Sequence, residues 1–236
     1  MKRYSQKRRA LFPISIGNNL FSTKNTTNAL LGLAAELDIV YFLIADEIPV
    51  YNKTQGIHHA SDFDQIALSY PKLRELYRNE KQKWLKKLVS NVFGIKNTPQ
   101  FKILNTDTYY DYKFFSIYRN LLLLHSANSE FRNDIVRDVK MHYSGRKRVA
   151  NSKQVVQLST YYIVEEIALN IRVRYFNRIY DEYYLGAFPR AMTNIYSGKY
   201  GISVDRLVGV NSRDGVFNFY EADFSSENCV WNIVSM

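Results

Sequence analysis

Residues 10–16 place Leu11, Phe12, Ile14 and Ile16 in a short apolar run that Gly17, Asn18 and Asn19 close, the pattern of a buried strand feeding a turn. Residues 26–37 follow with Ala29, Leu30, Leu31, Leu33, Ala34, Ala35 and Leu37, strong helix formers behind Thr26, a residue able to cap them. Residues 38–45 bring Ile39, Val40, Tyr41, Phe42, Leu43 and Ile44, apolar on both faces, as a strand of a parallel sheet covered by helices must be. Strand, helix and strand in this succession predict a βαβ unit.

Helical periodicity returns over 71–93. At 100° per residue Leu73, Tyr77, Trp84 and Leu88 fall in one apolar stripe, while Lys72, Lys83, Lys86 and Lys87 gather opposite and Arg74, Arg78 and Lys81 line a flank. Residues 114–124 read as helix, 144–148 as a basic loop, and the rest of 101–150 yields no clear pattern. A long helix is predicted over 152–177. Strand-like runs follow at 183–188, 206–210 and 216–220, punctuated by Pro189, Gly198 and Gly201. The expected fold is α/β, a mostly parallel sheet covered by helices, in a single domain over 1–236 with residues 1–9 as a basic, solvated leader.

Charge sharpens this picture. The 236 residues carry 32 Lys+Arg against 22 Asp+Glu, a net charge of +10, which points to a polyanionic partner. A hydrophobic share of 46% excludes a largely disordered chain and suffices for one sizeable core. Cys229 stands alone, and the four histidines have no zinc-ligand spacing, so no metal is expected. The apolar runs fall short of the roughly 18 residues that a membrane span needs. A cytoplasmic protein without metal or cofactor is the expectation.

The 152–177 helix also carries chemistry. Taking Val155 as origin, Leu158, Tyr162, Glu166, Leu169, Val173 and Phe176 lie within about 60° of it, so Glu166 shares an apolar stripe. Its neighbour Glu165 lies with Gln157, Tyr161 and Arg172 on a polar face. A carboxylate in an apolar stripe costs several kcal/mol unless it is paired or kept for a task. Tyr162, one turn earlier, brings its hydroxyl to the same side. Ser15 stands at the end of the first strand, where doubly wound sheets bind ligands, yet no nucleophile elbow surrounds it and no histidine is identifiable as its base. Neither GxGxxG nor GxxxxGK[ST] occurs, which leaves no case for a dinucleotide or nucleoside triphosphate.

Four segments together resemble the tRNA-dependent cyclodipeptide synthases. The first is Ile14-Ser15-Ile16-Gly17-Asn18-Asn19-Leu20-Phe21-Ser22; the second is Ile44-Ala45-Asp46-Glu47-Ile48-Pro49 with Tyr51-Asn52. The third is Tyr162-Ile163-Val164-Glu165-Glu166, and the fourth Phe188-Pro189 leading to Tyr196-Ser197-Gly198-Lys199-Tyr200-Gly201. The resemblance implies a Rossmann-like domain similar to the catalytic domains of class I aminoacyl-tRNA synthetases. The synthetase ATP motifs His-x-Gly-His and Lys-Met-Ser-Lys-Ser are missing, which suits a substrate that is already an activated ester.

By that resemblance Ser15 accepts the first aminoacyl group, Tyr162 and Glu166 hold its amine, and Asn18 lies nearby. Two aminoacyl-tRNAs would be used in sequence by a monomer, the 72–87 helix holding tRNA through Arg74, Arg78, Lys81, Lys83, Lys86 and Lys87. Two residues depart from the family pattern. Pro13 replaces a common Gly two residues before the serine, bearing on the substrate pocket. Phe188 replaces a catalytic Tyr, so cyclisation would fall to another group, Tyr184 or a water, or be impaired. Two further readings fit the same residues: a catalytically silent tRNA-binding protein, and an aminoacyl-ester hydrolase.

Overall fold

The computed structural model describes residues 8–14, 19–33, 36–44, 79, 82–83, 86–88, 90–91, 99–142, 153–210, 216–224 and 229–234. Strand β1 (Arg9–Ile14) is followed by helix α1 (Thr23–Leu33) and strand β2 (Ile39–Ile44). β1 and β2 pair in parallel, Arg9 opposite Ile39 through Ile14 opposite Ile44, so the predicted βαβ unit is present. The helix starts earlier than expected. Thr26 is no cap but lies wholly buried inside α1.

Strand β3 (Gln100–Asn105) pairs in parallel with β2. Helices α2 (Tyr112–Ala127) and α3 (Ser129–His142) follow, then the long α4 (Lys153–Asn177) and strand β4 (Asp181–Tyr184). Short helices α5 (Arg190–Tyr196) and α6 (Val204–Val208) lead to β5 (Asn218–Asp223) and β6 (Val230–Ile233). The 206–210 run expected as strand is instead largely the α6 helix: the Ser203 hydroxyl accepts from the Arg206 amide at 3.3 Å, and Gly209 at φ 80° ends it. The strand expected at 183–188 ends at Tyr184, and the one expected at 216–220 runs instead to Asp223.

The sheet has six strands in the order β3-β2-β1-β4-β5-β6, parallel except for β6. Chain order reverses between β1 and β4, so the ligand crevice of such a sheet lies beyond their carboxyl ends. Alternation along β1 sends Leu11 to one face, with α2 to α5, and Phe12 and Ile14 to the other, with α1 and Leu88. Both faces are thus covered, which explains the two-sided apolar strands.

Helix α4 is the centre of the larger layer, packed against α2 and α3 on one side and bonded to β4 on the other. Ser159, Thr160, Ile163, Val164, Ile167, Ala168, Asn170, Ile171, Arg174 and Tyr175 are all buried, covering most of its circumference. Among its described residues the sector of Tyr161, Glu165, Arg172 and Phe176 opens outward, with Tyr162 and Glu166 half-buried beside it. Even that sector is tied down. The Tyr110 hydroxyl donates to Glu165 Oε1 at 2.9 Å, and Arg172 forks onto Asp111, the residue that caps α2. Glu165 is therefore half-buried and hydrogen-bonded, a correction to the solvated carboxylate that the wheel suggested. Arg172 and the α2 backbone hold Asp111 down to a pKa of about 2.

Candidate active site

β4 and α4 build the site between them. Glu182 and Tyr184 lie two residues apart on β4; Glu182 meets α4, while the Tyr184 ring, at the end of the strand, also packs against Phe21 of the other layer. Asn170 Nδ2 donates to both Glu182 oxygens at 2.9 and 2.8 Å, and Arg174 Nη1 donates to Oε2 at 2.9 Å. α4 and β4 run in opposite directions through a short turn. Going back one turn on α4 covers about 6 Å, and going forward two residues on β4 about 6.6 Å. Glu166 is thereby brought level with Tyr184, toward the carboxyl end of β4.

Glu166 and Tyr184 are both half-buried. Among the described residues neither the Glu166 carboxyl nor the Tyr184 hydroxyl has a hydrogen-bond partner. Desolvation by the groups packed around Glu166, with the negative charges of Glu182 and Asp138, pushes its pKa up to about 7. Burial, then Glu166 and Glu182, push the Tyr184 hydroxyl well above its usual range, so it stays protonated. Tyr162, one turn outward on α4, is half-buried on the same side as Glu166. The balance of charge here is negative: Glu166 and Asp138 have no cation bonded to them among the described residues, while Glu182 is matched by Arg174.

Tyr184 is held by its ring. The Phe21 and Phe188 rings lie 5.3 and 5.2 Å from it, and a Cβ added at Gly186 would come within 3.1 Å of its Cε1. Phe188 is fixed in turn by its amide, which donates to Glu221 Oε1 at 2.8 Å, and by the Phe219 ring at 4.9 Å. Just beyond it, Asp138 of α3 accepts the amides of Arg190 and Ala191 at 3.0 and 2.8 Å and so caps α5 from another helix. Burial lifts Asp138 to about 6 against those two bonds.

Across the sheet, β1 pairs with β4 through Ala10 opposite Asp181 and Leu11 opposite Glu182. Two steps further, this register sets Pro13 level with Tyr184, and Pro13 is half-buried at the open end of β1. Ser15 and Asn18 lie outside the described residues, and so do Arg74, Arg78 and Lys81. Lys83, Lys86 and Lys87 are helical and exposed and Leu88 is 2% exposed, while Lys72, Leu73, Tyr77 and Trp84 of the expected stripes lie outside the described residues. Glu182, Arg174, Asn170 and Asp138, which build the surroundings of Glu166, were not singled out from sequence. Asp134 and Asp138 sit one turn apart beside the apolar Phe131, Ile135 and Val139, a readable sign of α3 and of two carboxylates turned toward the core.

No protein-family model matches the chain, and no curated protein does. Solved structures do. A cyclodipeptide synthase of Fluoribacter dumoffii superposes with a TM-score of 0.66 at 18% identity, over 80% of this chain and 81% of that one. The fold is that of the cyclodipeptide synthases. A second one, from Candidatus Glomeribacter gigasporarum and bound to Phe-tRNAPhe, matches over 84% of each chain at 13% identity and a TM-score of 0.54. A Mycobacterium tuberculosis protein, whose structure relates cyclodipeptide synthetases to type I tRNA synthetases, matches over 80% of this chain and 78% of its own at 14% identity and a TM-score of 0.54. The mostly parallel sheet with helices on both faces is thus the α/β arrangement that these solved structures share. None of the helices among the described residues is long and apolar enough to cross a membrane.

Proposed function

We propose that the protein is a tRNA-dependent cyclodipeptide synthase, a single-domain aminoacyltransferase that joins two aminoacyl groups into a diketopiperazine. The observation that carries this reading is Glu166, a carboxyl with no hydrogen-bond partner among the described residues, set toward the carboxyl ends of parallel strands in a cyclodipeptide-synthase fold. An α-ammonium is the ligand such a group suits: it restores the pairing that burial denies the carboxylate. Tyr162 adds a hydroxyl from the next turn.

In this reading Ser15 attacks the carbonyl carbon of the first aminoacyl-tRNA and becomes its ester, the tRNA leaving with its own hydroxyl restored. Glu166 holds the amine of the bound aminoacyl group. With a pKa near neutrality, its carboxylate can also take a proton from an ammonium that must become a nucleophile. The amine of the second aminoacyl-tRNA attacks the seryl ester, and the dipeptidyl group that results closes on itself. Pro13, Asn18 and Phe188 border the substrate, and the basic 72–87 helix holds tRNA phosphates.

Phe188 favours a second reading, a tRNA-binding protein that has lost turnover, because its ring offers no proton at that position. Incubation with aminoacyl-tRNA separates the two. The synthase gives an intact-mass adduct of one aminoacyl residue, absent in Ser15→Ala, and a diketopiperazine detectable by mass spectrometry. Binding without adduct establishes the silent protein, and adduct followed by free amino acid alone establishes a hydrolase.

A further inference from the structure

Resting on the synthase reading, we propose that Glu221 and Asp138 are positioning residues, two carboxylates that together fix Phe188 as a wall beside the aminoacyl group. The segment between β4 and α5 cannot hold its own backbone. Pro189 stands at the cap position of α5 and makes no side-chain bond to the helix start. It also lacks an N–H, so the amide donors of residues 188–191 are those of Phe188, Arg190 and Ala191. Each is taken by a carboxylate from another element. Glu221 of β5 accepts from Phe188 at 2.8 Å, and Asp138 of α3 accepts from Arg190 at 3.0 Å and from Ala191 at 2.8 Å. Among the described residues no cation pairs with either carboxylate, so what they bond is this segment.

The ring is held as firmly as the backbone. Its centroid lies 5.2 Å from that of Tyr184 and 4.9 Å from that of Phe219, yet the residue is only half-buried, which leaves part of the ring open. Asp138 acts on Glu166 by its charge, and Glu166 acts likewise on Tyr184, so the clamped ring belongs to the surroundings of that carboxyl. Phe188 has no proton to give, and what it contributes is shape. Shape must be fixed to be of use: a misplacement of about 1 Å in a positioning group can cost a hundredfold in rate.

The test is Glu221→Ala, with Glu221→Gln as its control, since glutamine keeps an oxygen for the Phe188 amide. Diketopiperazine formation is measured on a panel of tRNAs, each charged with its own amino acid, and the combination that wild type uses best is the reference. Glu221→Ala should lower kcat/KM on it by about tenfold or more while uncharged tRNA binds as before, and Glu221→Gln should stay within about threefold of wild type. Asp138→Asn, which turns a donor toward one of the two amides, should give the same loss, and it decides the matter if Glu221→Ala does not fold. In a Phe188→Leu background either loss should shrink below about threefold, because the route to the substrate runs through the ring. Losses that add in full to that of Phe188→Leu, values within about threefold of wild type in both single variants, or failure of both to fold would overturn the clamp. A wild-type chain that forms no diketopiperazine on any charged tRNA would instead sink the synthase reading, and this inference with it.

Discussion

Two carboxylates on the α4–β4 seam, Glu166 of the helix and Glu182 of the strand, live in opposite circumstances. Glu182 is 1% exposed and fully partnered, by both oxygens to Asn170 and by one to Arg174. Arg174 is itself wholly buried, gives three further donors to the carbonyls of Ile179, Tyr180 and Asn218, and lies against the faces of Tyr196, Phe217 and Phe219 at 5.0, 5.0 and 4.4 Å. Burial pushes the Glu182 carboxyl up, and the guanidinium and the amide pull it back. Burial raises Glu166 as well, and no cation or amide among the described residues offsets it. A partnered carboxylate there welds helix to strand; an unpartnered one holds free energy in reserve for a ligand. The difference separates scaffold from site within a few ångströms.

Arg174→Met should break the comparison hardest. It leaves Glu182 as a buried charge without its cation, and stability should fall by about 3–5 kcal/mol in denaturant unfolding. A loss below about 1 kcal/mol would show that the network holds little together.

Glu166→Gln should do the reverse, removing product while the fold holds or gains. Its folded pKa of about 7 exceeds the unfolded carboxyl value, so between them the native state binds more protons and stability drops as pH rises. The variant should lose that part of the decline and melt higher than wild type at pH 7 and above, by roughly 2–4 °C for each kcal/mol regained. A variant that melts lower at pH 8 and retains activity would make Glu166 a second scaffold carboxylate.

Charge outside the seam should act on binding alone. Replacing the exposed Lys83, Lys86 and Lys87 by Ala should weaken tRNA binding and flatten its salt dependence by up to about three counterions, leaving the melting curve unchanged. An unchanged slope would move the tRNA contact elsewhere.

Glu165→Gln should have the smallest effect, since a glutamine oxygen can still accept from Tyr110, and stability should change by no more than about 1 kcal/mol. Product yield close to wild type keeps the two adjacent glutamates in different roles; a loss matching that of Glu166→Gln would place the working carboxylate on the wrong face of α4.

Amphipathic and apolar periodicity made several elements legible in advance: the parallel β1 and β2, the long α4, and Tyr162 and Glu166 on one side of it. These depend on local spacing, and a helix or strand imposes its period whatever it packs against. β3 was not legible. As the edge strand it exposes Lys102 and Ile103, blurring the two-sided apolar pattern that announced β1 and β2. α6 misled because a short apolar run fits a strand or a helix equally, and only the Ser203 cap and Gly209 decide.

What the linear order of residues determined, then, is which side of each element is apolar and which candidate groups share it. Whether a given carboxylate on such a side has a partner was decided only by tertiary structure. Glu182 meets Arg174, eight residues away across the turn from helix to strand, whereas Glu166 meets a hydroxyl it does not bond. Pairing is a matter of distances of about 3 Å between groups on different elements, and no periodicity along one element contains that information.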